Sequence, residues 1–159
     1  MAALVVLATG LGCHEFHRAD AIGLPADGEE LPILRQFAGA HSHEFRQMQF
    51  VVRNEAALAR VQLLDVPTDF KTEMLLVVML GRRSSDQYFP SIDRVWRDGG
   101  VIRVEISVRQ PAQNAPVEFA SPYCMAVVPR CDLNVADFDP EPPVRQRSWE
   151  QSPPPTDRL

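Results

Sequence analysis

Apolar and polar positions follow three different rhythms along this chain. Met74 to Leu80 is an unbroken run of seven apolar residues, bounded by Glu73 and Gly81. A run that short with no polar position predicts a strand covered on both faces. Pro67 and Gly81 leave little room for a buried helix in its place. Val101 to Arg109 alternates instead. Ile102, Val104, Ile106 and Val108 point one way, and Arg103, Glu105, Ser107 and Arg109 the other. That period predicts a half-buried strand with one wet face. Between them in character lies the stretch after Asn54, where Leu58, Val61 and Leu64 recur at helical spacing. Asn54 offers an N-cap oxygen, and Glu55 suits the positive end of the helix dipole. Pro67 prevents the helix from going further.

The remaining elements follow from punctuation. Gln49 to Arg53 reads as a short strand, and Arg82 to Asp86 as a polar loop. Tyr88 to Trp96 is the next strand, with Pro90 weakening it towards an edge or a bulge. Asp98-Gly99-Gly100 is a hairpin turn, because glycine supplies positive φ at little cost. Pro111 to Pro116 is a loop. Phe119 to Val128 is a strand entered through Ser121-Pro122-Tyr123 and closed by Pro129. One helix and at least five strands with short links predict an α+β domain, mainly antiparallel β. The expected form is a small sheet or partly closed barrel with one short helix, over residues 47–131. Residues 14–46, mixed in Gly, Pro and charge, read as an extension or linker. Residues 132–159 read as an acidic, Pro-rich disordered tail.

Composition narrows the function. The chain has 159 residues, a net charge of -5 and a single lysine, Lys71. Its arginines are scattered, which argues against a surface that tracks nucleic-acid phosphates. Met1 to Gly12 is apolar and rich in small residues, but too short to span a membrane. It fits the end of a signal peptide, so residues 1–13 are expected to direct export. Thr9-Gly10-Leu11-Gly12 before Cys13 resembles a bacterial lipobox, although Gly10 stands where Leu is preferred. Cys13 is therefore the candidate lipidation site. The alternative is a buried N-terminal strand, since AALVVL would pair well in a sheet.

A search for chemistry finds little. Cys124 has no His in its segment and sits in an apolar strand that disfavours a thiolate. Cys124 and Cys131 either pair across a strand end or act as a buried small hydrophobe and a loop thiol. Ser84-Ser85-Asp86 lacks a nucleophile-elbow setting and reads as a solvated loop. Asp65 and Asp69 form no convincing carboxylate pair; Asp65 precedes Pro67 in a turn, and Asp69 can bond its own backbone two residues on. No P-loop and no dinucleotide-binding glycine pattern is present. Trp96 and Tyr88 either line a recognition surface or pack the sheet. His14, His17, His41 and His43 offer metal ligands in pairs, without an acidic or Cys partner at a telling distance. No cofactor is expected.

Asp69-Phe70-Lys71, the strand LLVVMLG, the polar loop, Tyr88, the hairpin, Pro111, and Ser121-Pro122-Tyr123 before MAVVP occur in an order that resembles the C-terminal domain of the PrcB family. The likeness covers roughly Gln49 to Arg130. That family is named for a bacterial lipoprotein subunit of a cell-surface protease complex. The resemblance implies an exported, non-catalytic accessory domain whose partner is another protein, a secreted or surface protease among the candidates. Membrane association would come only through a lipid anchor. The family carries a Thr-Gly-Gly-Tyr type loop where this chain has Ser84, Ser85, Asp86, Gln87 and Tyr88. With both glycines gone, the loop is expected to take a different shape. Arg82, Arg83 and these five residues, beside the Pro111–Phe119 loop, are the candidate partner-binding surface. The alternative is a periplasmic module that binds a small molecule or metal through the N-terminal histidines.

Overall fold

The computed structural model describes residues 24–61 and 66–144. In chain order it forms β1 (Arg35–Gly39), β2 (Met48–Val52), the helix α1 (Glu55–Val61), β3 (Glu73–Met79), β4 (Phe89–Asp98), β5 (Val101–Arg109), β6 (Tyr123–Pro129) and β7 (Asn134–Val135). The fold is α+β and mainly antiparallel, with one short helix. The strands make two packed sheets, one of order β1-β6-β3-β2 and one of order β4-β5-β7. This is the expected α+β, mainly antiparallel class; its strands divide into two small open sheets, and no barrel closes.

The run of seven apolar residues is explained by this layering. Met74, Leu76 and Val78 of β3 face the second sheet, where Ile92, Val95 and Ile102 meet them. Leu75, Val77 and Met79 face the other way, onto Ala57 and Val61 of α1, with Val66 and Phe70. β6 pairs with β3 in register, Leu76 opposite Ala126 and Val77 opposite Met125, and is buried on both faces too. Each fully covered side chain of this kind contributes about 1.5–3 kcal/mol of burial. The second sheet has helices or strands on one face only, hence the alternation in β5.

Local signals act as their chemistry predicts. The Asn54 side-chain oxygen accepts from the Ala57 N–H at 2.8 Å and caps α1. Asp69 Oδ1 accepts from the Lys71 N–H at 3.1 Å, closing the turn before β3. The β4–β5 hairpin turns on Gly99 at φ 59°. β4 is an edge strand of its sheet, and its bulge falls between Ile92 and Arg94 rather than at Pro90.

Two expectations change. The stretch 14–46, read as an extension, contains β1, which pairs with β6 from Arg35 opposite Val127 to Gly39 opposite Tyr123. Just before it, the Gly28 N–H donates to Arg97 O and the Leu31 N–H to Val95 O, so the same segment also lines the edge of β4. The chain thus crosses from one sheet to the other within a few residues. The stretch from 132 onward, read as tail, begins with ordered structure. β7 adds a parallel strand to β5, and Asp139 exchanges backbone hydrogen bonds with Gln49 and Val51 along β2. Val135 is buried in the core and Phe138 packs against it, which ties this segment down. Residues 145–159 lie outside the described residues.

Candidate functional site

β3 and β6 fix one end of the molecule, because Met79 and Tyr123 stand opposite one another there. The loops that leave this end are held together by backbone hydrogen bonds. The Leu80 N–H donates to Pro122 O at 2.9 Å. Gly81 then turns the chain at φ 68°. No side chain fits there, since a Cβ would lie 2.8 Å from backbone atoms of Phe45, Arg46 and Gln47. Arg83 and Ala120 exchange hydrogen bonds at 2.8 and 3.1 Å, and the Glu118 N–H donates to Ser84 O at 3.1 Å. The two loops singled out from the sequence, 82–88 and 111–119, are therefore zipped into one surface.

A third loop, residues 40–46, joins them. Ser121 is its anchor: the Ser42 N–H donates to Ser121 Oγ at 3.0 Å, and the His43 N–H to the same oxygen at 3.2 Å. His43 holds φ 59°, an uncommon value for a residue with a side chain. The sequence reading placed this loop in the linker and missed it. Its signal was the approach to Gly81, which no periodicity reports.

The side chains at this end are strongly apolar for an exposed surface. Phe45 is 75%, Val117 76% and Phe119 61% exposed. The Arg82 guanidinium lies 4.1 Å from the centre of the Phe119 ring, and that of Arg83 lies 6.0 Å from the centre of the Tyr88 ring. His41, His43, Phe45, Arg82, Phe119, Ala120 and Ser121 line a shallow cleft of about 350 Å³. Of the predicted loop, Arg82, Arg83, Ser84, Asp86, Gln87 and Tyr88 stand at or near the surface. Ser85 does not: it is buried, and its Oγ accepts from the Gln87 N–H at 3.2 Å. The loop contains no positive φ after Gly81. This short hydroxyl-capped turn gives the loop its shape without a glycine.

The other candidates stand apart. Cys13, His14, His17 and Asp65 lie outside the described residues. Among the described residues no three metal-ligating side chains come together, and no helix is long and apolar enough to cross a membrane. His41 and His43 reach the cleft, without an acidic partner completing a ligand set. Trp96 lies on the second sheet with the Arg94 guanidinium 5.0 Å from its ring centre. In the β4 bulge, hydrogen bonds from Ser107 and Ser91 hold the Asp93 carboxyl below the usual range.

Cys124 and Cys131 are free thiols, both buried in the core between the sheets. Cys124 sits near the start of β6 and Cys131 beyond its end, a separation of roughly 20 Å at strand rise, so they cannot bridge. Loss of water pushes the Cys124 thiol up to about 12, with the negative charge of Asp93 adding to it. A raised thiol pKa stabilises the fold below its unfolded value and loses that contribution as pH climbs towards the folded one. Stability should therefore decline from about pH 9 upward, and Cys124→Ala should flatten that decline in alkaline urea titrations. At neutral pH, Ellman's reagent should react with neither thiol until the protein is unfolded; rapid reaction of the native chain would contradict this burial.

No family model, curated protein or solved structure matches the chain.

Proposed function

We propose that this chain is a non-catalytic, extracytoplasmic accessory protein that binds another protein through the end of the sandwich formed by loops 40–46, 82–88 and 111–119. The observation that carries this reading is the exposure of Phe45 and Phe119 around one cleft with Arg82, and of Val117 two residues from Phe119, on loops braced by reciprocal backbone hydrogen bonds. Large apolar side chains on a rigid frame suit recognition, because they bury area while losing little freedom. Arginine and aromatic residues are also the side chains that dominate measured interface energies. The likeness to the PrcB C-terminal domain supports an exported accessory role and makes a secreted or surface protease the partner to look for first. Residues 1–13 would supply the export signal, and Cys13 the lipid anchor.

The test is in-cell cross-linking of the tagged full chain, followed by purification and mass spectrometry. A defined partner should be recovered, and Arg82→Glu with Arg83→Glu should remove it while the circular dichroism spectrum stays unchanged. Recovery unaffected by the double replacement rules out this surface. The same spectra read the mature N-terminus. Cleavage before Cys13 with added acyl mass is expected, and an intact Met1 would overturn export.

A further inference from the structure

Eight of the described arginines contrast in their surroundings, while Arg53 and Arg97 bond backbone carbonyls. Arg35, Arg60, Arg94, Arg103 and Arg130 each meet a carboxylate, at 2.6 to 3.9 Å. Arg82, Arg83 and Arg109 meet none among the described residues, and each lies instead over an aromatic ring: Phe119, Tyr88 and Phe89 respectively. All three stand at the same end of the sandwich. Arg109 closes β5 opposite Phe89, which opens β4 directly after the 82–88 loop.

Exposed apolar side chains gather at that same end. Eight large ones are exposed among the described residues, and five of them, Phe45, Phe89, Val108, Val117 and Phe119, belong to the strand ends and loops there. Guanidinium groups left without counter-charges over exposed rings are unusual on a chain of net charge -5, which has acids to spare. A ring contact of this kind engages the face of a guanidinium and leaves N–H groups that can donate to a carboxylate.

From this coincidence we infer that the partner contacts this end through an acidic segment carrying large apolar side chains. Its carboxylates pair with Arg82, Arg83 and Arg109, and its apolar side chains cover Phe45 and Phe119. This rests on the protein-binding reading above and adds the chemistry of the partner. Charge complementarity argues for it: the loops here also carry Glu44, Asp86 and Glu118, but Arg82, Arg83 and Arg109 meet no carboxylate among the described residues, whereas the arginines named first are already paired.

The probe is a fluorescein-labelled peptide of alternating acidic and apolar residues (Glu-Leu-Asp-Phe repeated), read by anisotropy against the full chain. Two controls replace every acid by Lys, or every apolar residue by Ser. The acidic apolar peptide should bind, weaken with added salt, and lose about tenfold in affinity with Arg82→Glu or Arg109→Glu. Arg103→Glu, on the outer face of the second sheet, should leave it unchanged. Equal binding of all three peptides overturns the inference, as does no binding of any. Retention on phosphatidylglycerol vesicles in place of the peptide would assign the arginines to a membrane surface and overturn it too. The two proposals fail separately. If Arg82→Glu with Arg83→Glu releases the cross-linked partner but the acidic peptide neither binds nor displaces it, only the partner's chemistry is wrong. If the partner stays, the surface itself is wrong.

Discussion

Replacing Gly81 by Ala should destabilise the fold by about 3 kcal/mol and disable the recognition end together. A residue with a Cβ at φ 68° sits in the left-handed region, at a cost of about 1–2 kcal/mol. The added methyl also meets the backbone of Phe45, Arg46 and Gln47 at 2.8 Å, and a backbone cannot swing aside as a side chain can. Forced overpacking adds about 1–3 kcal/mol. Loop 40–46 must then move away from β3, which breaks the hydrogen bond from the Arg82 N–H to Phe45 O and carries the Phe45 ring with it. Urea unfolding should show a lower midpoint. Hydrogen exchange should show lost protection at Ser42 and His43 before any other buried amide. An unchanged midpoint would mean that the loop does not approach Gly81 this closely.

Leu75→Ala and Leu76→Ala should each cost about 3 kcal/mol, within the range for fully buried leucines. The equality matters more than the size. Neighbours on a strand point to opposite faces, so in a sheet with one wet face only one of the pair would be costly. Here Leu75 packs towards α1 and Leu76 towards the second sheet, and both are fully buried. On the second sheet the matching comparison is unequal: Ile102→Ala should cost several-fold more than Arg103→Ala, which should stay within about 0.5 kcal/mol. Chemical denaturation of the four variants checks this. A silent Leu75→Ala would remove the helix layer from the fold.

Much of this architecture is legible in the residues because burial dictates pattern. The central strand, the alternating strand, the capped helix and the glycine hairpin each carry their own signal. β1 carries almost none. RQFAG has Phe37 as its only large apolar residue and exposes Arg35 and Gln36. It is a strand because β6 presents an unpaired edge, and no local preference reveals that. β7 fails for a related reason. Leu133, Val135 and Phe138 are its apolar anchors in a stretch whose prolines and acids suggest a tail. The start of β6 also differs. Phe119 to Pro122 belongs to the loop assembly, and the strand begins at Tyr123. The candidate surface was half readable. Two of its loops follow from the polar punctuation around Gly81 and Pro111. The third enters only through a backbone approach and the hydroxyl of Ser121, long-range contacts that leave no periodic trace.

The crossing of the Gly28–Gly39 segment from one sheet to the other also governs the order in which the molecule can assemble. β6 is the shared neighbour of β1, near the start of the chain, and of β3, in its middle. Until residues up to Pro129 have been made, β3 has only β2 beside it, and β1 has no strand to join. Few early contacts are local, so folding on the order of milliseconds to seconds is the expectation for such a topology. During that interval Met74 to Leu80, apolar and rich in β-formers, is bare along one edge and prone to pair with copies of itself. Late arrival of β6 leaves β3, buried on both faces in the native protein, exposed along one edge during synthesis.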